Sequence, residues 1–195
     1  MLPKKTVAMI YKEAEISGVW LIEPQVHRDT RGYFMEAFRE SEFEARIGKI
    51  HFVQDNESSS TLGVLRGLHY QLEPYAQSKL VRVIQGKVLD VVVDIRKGSP
   101  SFGKYVAVEL SGDNKLQLFI PKGFAHGFYV MSETVLFTYK VDNPYMSSHE
   151  RSIRFDDPTI HVDWRIISND TLVISEKDRA APLLADANHN FKLNV

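Results

Sequence analysis

Between Lys79 and Val141 the chain repeats one pattern: a short apolar run rich in β-branched residues, then a cluster of breakers. Leu80-Val81-Arg82-Val83-Ile84 ends at Gln85-Gly86, and the run over 88–95 is stopped by Lys97-Gly98-Ser99-Pro100. Runs over 105–110, 116–120, 124–130 and 134–141 follow, separated by Ser-Gly-Asp-Asn, Pro-Lys-Gly and Met-Ser-Glu. Short strands at near-even spacing, punctuated by glycine, proline and asparagine, predict an all-β sandwich or barrel. No helical pattern lies between the runs, so alternating βαβ units do not fit. Two short helices are predicted outside this block. Ser41-Glu42-Phe43-Glu44 has capping-box spacing and opens the first, and Ser175-Glu176-Lys177-Asp178 opens the second. The expected architecture is a β-barrel or jelly roll with an N-terminal extension and a partly helical tail.

Composition narrows the function classes. Of 195 residues, 44% are hydrophobic and 25% charged, enough for a core beneath an ordinary polar surface. Without repeats or linker-like stretches, residues 1–195 read as a single domain. The formal net charge of −1 supplies no global field toward nucleic acid or an anionic membrane, so neither is an expected partner. With no cysteine, disulfides, thiolate metal sites and cysteine nucleophiles are excluded. The N-terminus has no apolar run long enough for a signal-peptide core before Lys12 and Glu13. No apolar stretch approaches the roughly 20 residues needed to span a bilayer. The expected setting is the cytoplasm.

Several residues could carry chemistry. In Leu65-Arg66-Gly67-Leu68-His69-Tyr70-Gln71, regular strand alternation puts His69 on a face with Gly67 and Gln71. A histidine on a small, polar inner face is a candidate base; the strand alone favours a hydrogen-bonded structural histidine. Arg66 has the opposite parity, so both reach one pocket only if the strand ends or bulges near Gly67. Tyr139 shares a face with Val135, Phe137 and Val141; its buried hydroxyl is either a general acid or a core group bonded to a carbonyl. Asp178 stands at capping distance from Ser175, which suits a purely structural role. Asp90 and Asp94 share parity with Val88 and Val92. Either one faces inward beside a cation such as Lys79, or both sit at exposed strand ends. The seven histidines lack metal-ligand spacing, and His126, in Phe124-Ala125-His126-Gly127-Phe128, is single like His69. Phosphate-loop, dinucleotide and nucleophile-elbow motifs are missing as well. No metal and no cofactor are expected.

From about Ile16 to about Leu184 the chain resembles the dTDP-4-dehydrorhamnose 3,5-epimerase family of cupin-type jelly rolls. The matching stretches include Asp29-Thr30-Arg31-Gly32-Tyr33-Phe34-Met35-Glu36, Phe52-Val53-Gln54-Asp55-Asn56, Val64-Leu65-Arg66-Gly67-Leu68-His69-Tyr70-Gln71 and Lys79-Leu80-Val81-Arg82. Asp90-Val91-Val92-Val93-Asp94-Ile95-Arg96, Ile120-Pro121-Lys122-Gly123-Phe124-Ala125-His126-Gly127-Phe128 and Phe137-Thr138-Tyr139-Lys140 complete them. The resemblance implies His69 as base, Asp178 as its paired carboxylate, Tyr139 as proton donor, and Lys79 and His126 as residues around the sugar. It assigns Arg31, Glu36, Gln54, Asn56, Arg66, Glu150 and Lys177 to the nucleotide and its pyrophosphate. Tyr145 would stack on thymine, with Phe34 approaching the base from a partner subunit of a homodimer. Tyr33 stands where phenylalanine is common, and Ser78 where glycine is common. The implied reaction inverts C3 and C5 of dTDP-4-dehydro-6-deoxy-D-glucose to give dTDP-4-dehydro-L-rhamnose. A relative that inverts one carbon, or a non-catalytic nucleotide-sugar-binding barrel, are the alternatives. His69, Tyr139 and Lys79 are expected to line one cavity, with Asp178 in hydrogen-bond reach of the imidazole.

Overall fold

The computed structural model describes residues 9–168 and 171–193. Two antiparallel sheets face each other. The first has six strands, in the order β1 (Ile10–Glu13), β2 (Trp20–Glu23), β10 (Gln117–Ile120), β7 (Lys79–Gln85), β12 (Thr134–Val141) and β5 (Gln54–Thr61). The second has five: β13 (Glu150–Ser152), β6 (Leu65–Gln71), β11 (Phe124–Val130), β8 (Lys87–Asp94) and β9 (Tyr105–Ser111). A separate hairpin, β3 (Val26–Asp29) with β4 (Gly32–Met35), projects from the N-terminal third. The jelly-roll architecture and the six strands expected between Lys79 and Val141 are all present, two of them with the expected bounds. Among the described residues no helix is long and apolar enough to cross a membrane.

Alternation along the strands builds the layers. Val81 and Val83, Val88 and Val92, Leu118 and Ile120, and Phe128 and Phe137 fill the space between the sheets. The outer face of the second sheet is buried by the irregular C-terminal segment, through Ile153, Ile160, Trp164, Leu184 and Phe191. The outer face of the first is covered by Met9 and by Phe43 of helix α1 (Glu40–Arg46).

That helix corrects one expectation. Its N-cap is Arg39, without a side-chain cap bond, and Ser41 lies inside the helix. Packing fixes the helix start. Phe43 is 1% exposed and its ring meets those of Phe38, Phe52 and Phe119 at 5.2–5.6 Å. The second helix, α2 (Glu176–Arg179), begins as its sequence implies, with Ser175 Oγ accepting from the Asp178 backbone N–H at 3.1 Å.

Two departures from regular sheet matter for the interior. On β6, His69 pairs with His126 while Arg66 pairs with Phe128, so three residue steps of β6 oppose two of β11. This is the bulge that a common orientation of Arg66 and His69 requires. Glycine is needed there: Gly67 has φ +120°, and a Cβ would lie 2.5 Å from Gly127 Cα. On β5, every residue from Gln54 to Ser60 is polar, yet the strand pairs with β12 along its whole length. Gln54, Asn56, Ser58 and Ser60 stand opposite Val141, Tyr139, Phe137 and Val135, the last three of which pack in the interior between the sheets.

Candidate active site

His69 occupies the inner face of β6, and its Nε2 lies 2.6 Å from Asp178 Oδ1. Asp178 is 3% exposed. Its backbone N–H is held by Ser175, while Oδ2 accepts a long hydrogen bond from the Gly67 N–H at 3.4 Å. Asp178 therefore ties the α2 cap, through its backbone, to the β6 bulge and the imidazole, through its carboxylate. Burial alone would raise the Asp178 carboxyl; the bond to His69 and the imidazole's charge outweigh it and hold the group below its ordinary value. His69 opens onto a cavity of about 390 Å³ that Arg66, Val173 and Lys177 also line.

The facing sheet supplies Lys79 and Tyr139. Burial drives the Lys79 ammonium down to about 8, against the pull of Asp90 and Glu150. Burial raises the Tyr139 phenol, while Arg66 draws it back down. His126, directly opposite His69, is pushed down by burial, while Asp90 holds it up. His126, between the sheets, feels the charges of both Lys79 and His69. Tyr139 packs at 6.2 Å against the Phe137 ring and shares the interior with His69 through Arg66 and Glu150.

The other expected residues divide into two groups. Glu150 Oε2 accepts from Tyr145 Oη at 2.8 Å and pairs with Lys177 Nζ at 2.5 Å, forming a cluster beside His69. Gln54 donates to Asn56 at 2.7 Å, and Arg66 Nε donates to Ser60 Oγ at 3.2 Å, so these three also stand on the inner faces. Arg31, Phe34 and Glu36 are not brought to this centre. Arg31 pairs with Asp29 at 2.6 Å, Glu36 pairs with Arg39, and Phe34 is 67% exposed. They line separate cavities around the β3–β4 hairpin and α1.

Both aspartates of β8 are fully buried, so the reading that placed them at exposed strand ends is overturned. Asp94 is bound by Arg96, Ser99 and Ser101 at the far end of the strand. Asp90 faces the site, with both oxygens near His126 Nε2, at 3.1 and 2.9 Å. Its parity pointed inward, but the sequence did not show that His126 would be its partner. Among the described residues no group of three or more histidine, aspartate or glutamate side chains is placed to hold a metal ion.

The profile of the family described as dTDP-4-dehydrorhamnose 3,5-epimerase matches residues 13–186. The chain belongs to that family. A dTDP-4-dehydrorhamnose 3,5-epimerase of Shigella flexneri is 52% identical over 91% of this chain and 97% of that protein. The dTDP-6-deoxy-D-glucose-3,5-epimerase of Legionella pneumophila, solved with dTDP-4-keto-L-rhamnose, is 47% identical with a TM-score of 0.88. It covers 92% of this chain and 94% of its own. A 3'-monoepimerase of Streptomyces bikiniensis, solved with dTDP-quinovose, is 32% identical with a TM-score of 0.84, over 89% and 87% of the two chains. The family match spans every residue of the centre just described, from Gln54 to Asp178, and the hairpin residues Arg31, Phe34 and Glu36 as well. Within this epimerase framework the His69–Asp178 pair is the one close histidine–carboxylate contact between β6 and α2 among the described residues.

Proposed function

We propose that this chain epimerises dTDP-4-dehydro-6-deoxy-D-glucose at C3 and C5, giving dTDP-4-dehydro-L-rhamnose, with no metal or redox cofactor. The observation that carries this reading is the 2.6 Å contact between His69 and a buried carboxylate, in a chain of this family. Hydrogens on C3 and C5 both lie α to the C4 ketone. Removing one as a proton leaves an enolate, so the base and a stabilised oxyanion suffice. His69 takes the proton, and Asp178 orients the imidazole and stabilises the imidazolium that forms. Lys79 supports the developing charge on the C4 oxygen. Tyr139, on the facing sheet, gives its phenolic proton to the opposite face; solvent then takes the proton from His69 and returns one to Tyr139, and the cycle repeats at the second carbon.

Arg66, Lys177, Gln54 and Asn56 bind the diphosphate and nucleoside, Glu150 sets the position of Lys177, and Tyr145 stacks on the base. His126 contacts the sugar. Arg31, Phe34 and Glu36 serve the site of a second copy in a cytoplasmic homodimer, which accounts for the exposure of Phe34. Proton NMR of the keto sugar with the protein in deuterated water tests the reading. Loss of the C3 and C5 signals with appearance of the L-rhamno product is expected. Loss of one signal alone assigns single inversion, and no exchange overturns the enzyme.

A further inference from the structure

Among the described residues the β3–β4 hairpin pairs with no other strand, and of its strand residues only Val26 and Met35 are even partly buried. A lone two-stranded ribbon is marginal in water unless it packs against something else. Two buried polar side chains at the start of β10 supply the attachment. Lys115, 6% exposed, donates from Nζ to Tyr33 Oη at 3.0 Å, and the same Nζ lies 4.2 Å from the centre of the Tyr33 ring. Two positions on, the buried Gln117 donates from Nε2 to the Ala37 carbonyl at 2.7 Å, just past the end of β4. A buried ammonium or amide is costly unless its hydrogen bonds are met, so each of these groups holds its partner in place. The turn that presents Lys115 is itself fixed. Ser111 Oγ accepts from the Asn114 N–H, and Asn114 Oδ1 accepts from the N–H groups of Ser111 and Leu116, all at 3.0 Å. Lys115 has φ +58°, a left-handed conformation that persists in a non-glycine residue only where its surroundings impose it. A strained turn thus aims a buried cation at the hairpin.

We propose that Lys115 and Gln117 are positioning residues for nucleotide binding: they clamp the hairpin so that Arg31, Phe34 and Glu36 meet the dTDP moiety in the site of a second copy already ordered. This rests on the homodimer reading above. Phe34 and Glu36 lie between the two anchored residues, Tyr33 and Ala37, and Arg31 lies two positions before the first. Because neighbouring strand residues point to opposite faces, holding Tyr33 against the barrel turns Phe34 away from it, where Phe34 is 67% exposed. A hairpin ordered in advance does not lose that freedom when the nucleotide binds, so the clamp acts on affinity.

The test compares the wild-type protein with Lys115→Met, which removes the donor and keeps an unbranched side chain, by dTDP calorimetry, wash-in kinetics and amide hydrogen exchange. Loss of the clamp should weaken dTDP binding and raise KM by about tenfold, the cost of ordering one or two side chains, while kcat holds within about twofold. Amides of the hairpin should exchange faster. Unchanged dTDP binding, or a fall in kcat at unchanged KM, overturns the proposal. If Lys115→Met fails to fold, Tyr33→Ala, at a half-exposed position, removes the same contact and is judged by the same outcomes. Co-expression of either variant with His69→Asn tests the second copy. A mixed dimer joins the intact His69 of one subunit to the clamped hairpin of the other, so a component with the wild-type KM should reappear. Persistence of the raised KM alone overturns the proposal, as does a wild-type protein that binds dTDP as a monomer. Wild-type protein that binds dTDP and shows no wash-in refutes the epimerase reading instead, and the calorimetry then decides the clamp.

Discussion

Replacing Asp178 with asparagine separates chemistry from folding, because the two roles of this residue use different atoms. The helix cap is made by its backbone N–H to Ser175 Oγ, and the substitution leaves that bond alone. The second bond, from the Gly67 N–H, is long at 3.4 Å and an amide oxygen can accept it. What disappears is the charge 2.6 Å from His69 Nε2. A hydrogen bond to a charged group contributes about 1.5–3 kcal/mol. That bond is strongest when the imidazole has taken the substrate's proton, so its loss falls on the transition state and converts to roughly 10- to 150-fold in rate. Thermal unfolding should change by no more than about 1 kcal/mol, the size of one neutral hydrogen bond. The assay pairs deuterium wash-in at C3 with calorimetric melting and dTDP binding. Wild-type rates in the variant, or a rate loss matched by equal losses of stability and binding, would refute the division of roles.

Replacing His69 with asparagine should abolish both exchange and inversion, whereas Tyr139→Phe should leave exchange running faster than inversion, because reprotonation returns to the original face. Losses on the scale of general acid–base groups, about 10²–10⁴-fold, are expected in NMR time courses, and equal loss of both signals in Tyr139→Phe would count against it as the donor. Lys79 makes stability and activity respond to pH in opposite directions. Its folded value of about 8 lies below the ordinary 10.5, so over that window the unfolded chain binds more protons and stability rises with pH. Activity should fall over the same window, and Lys79→Met should flatten the stability slope measured by denaturant titration. An unchanged slope would show that the ammonium is not buried as described.

How much of this was legible depended on which face of a strand carries the pattern. The strands from β7 to β12 could be read because their inner residues are apolar and only breakers separate them. β5 could not, because both its faces are polar, with Gln54, Asn56, Ser58 and Ser60 on one of them, and alternation between two polar faces leaves no signal. The start of α1 was misplaced because the ring cluster around Phe43 outweighed a local capping pattern. Among the site residues, His69 and Asp178 lie 109 positions apart, and no local rule could join them; the family resemblance did. The hairpin residues Arg31 and Phe34 carry the same resemblance but lie outside this centre, Arg31 paired with Asp29 and Phe34 67% exposed.

The bulge at Gly67 also sets a length. Because three residue steps of β6 oppose two of β11, Arg66 and His69 are separated along the sheet by about two strand rises, roughly 7 Å, instead of the roughly 10 Å that three would span. On the proposed function, strand β6 works as a ruler, with the Arg66 guanidinium at one mark and the His69 imidazole at the other. A ligand whose anionic group and acidic carbon are spaced to match engages both marks at once. On the proposed function, a longer or shorter linkage between phosphate and sugar would leave one of them empty.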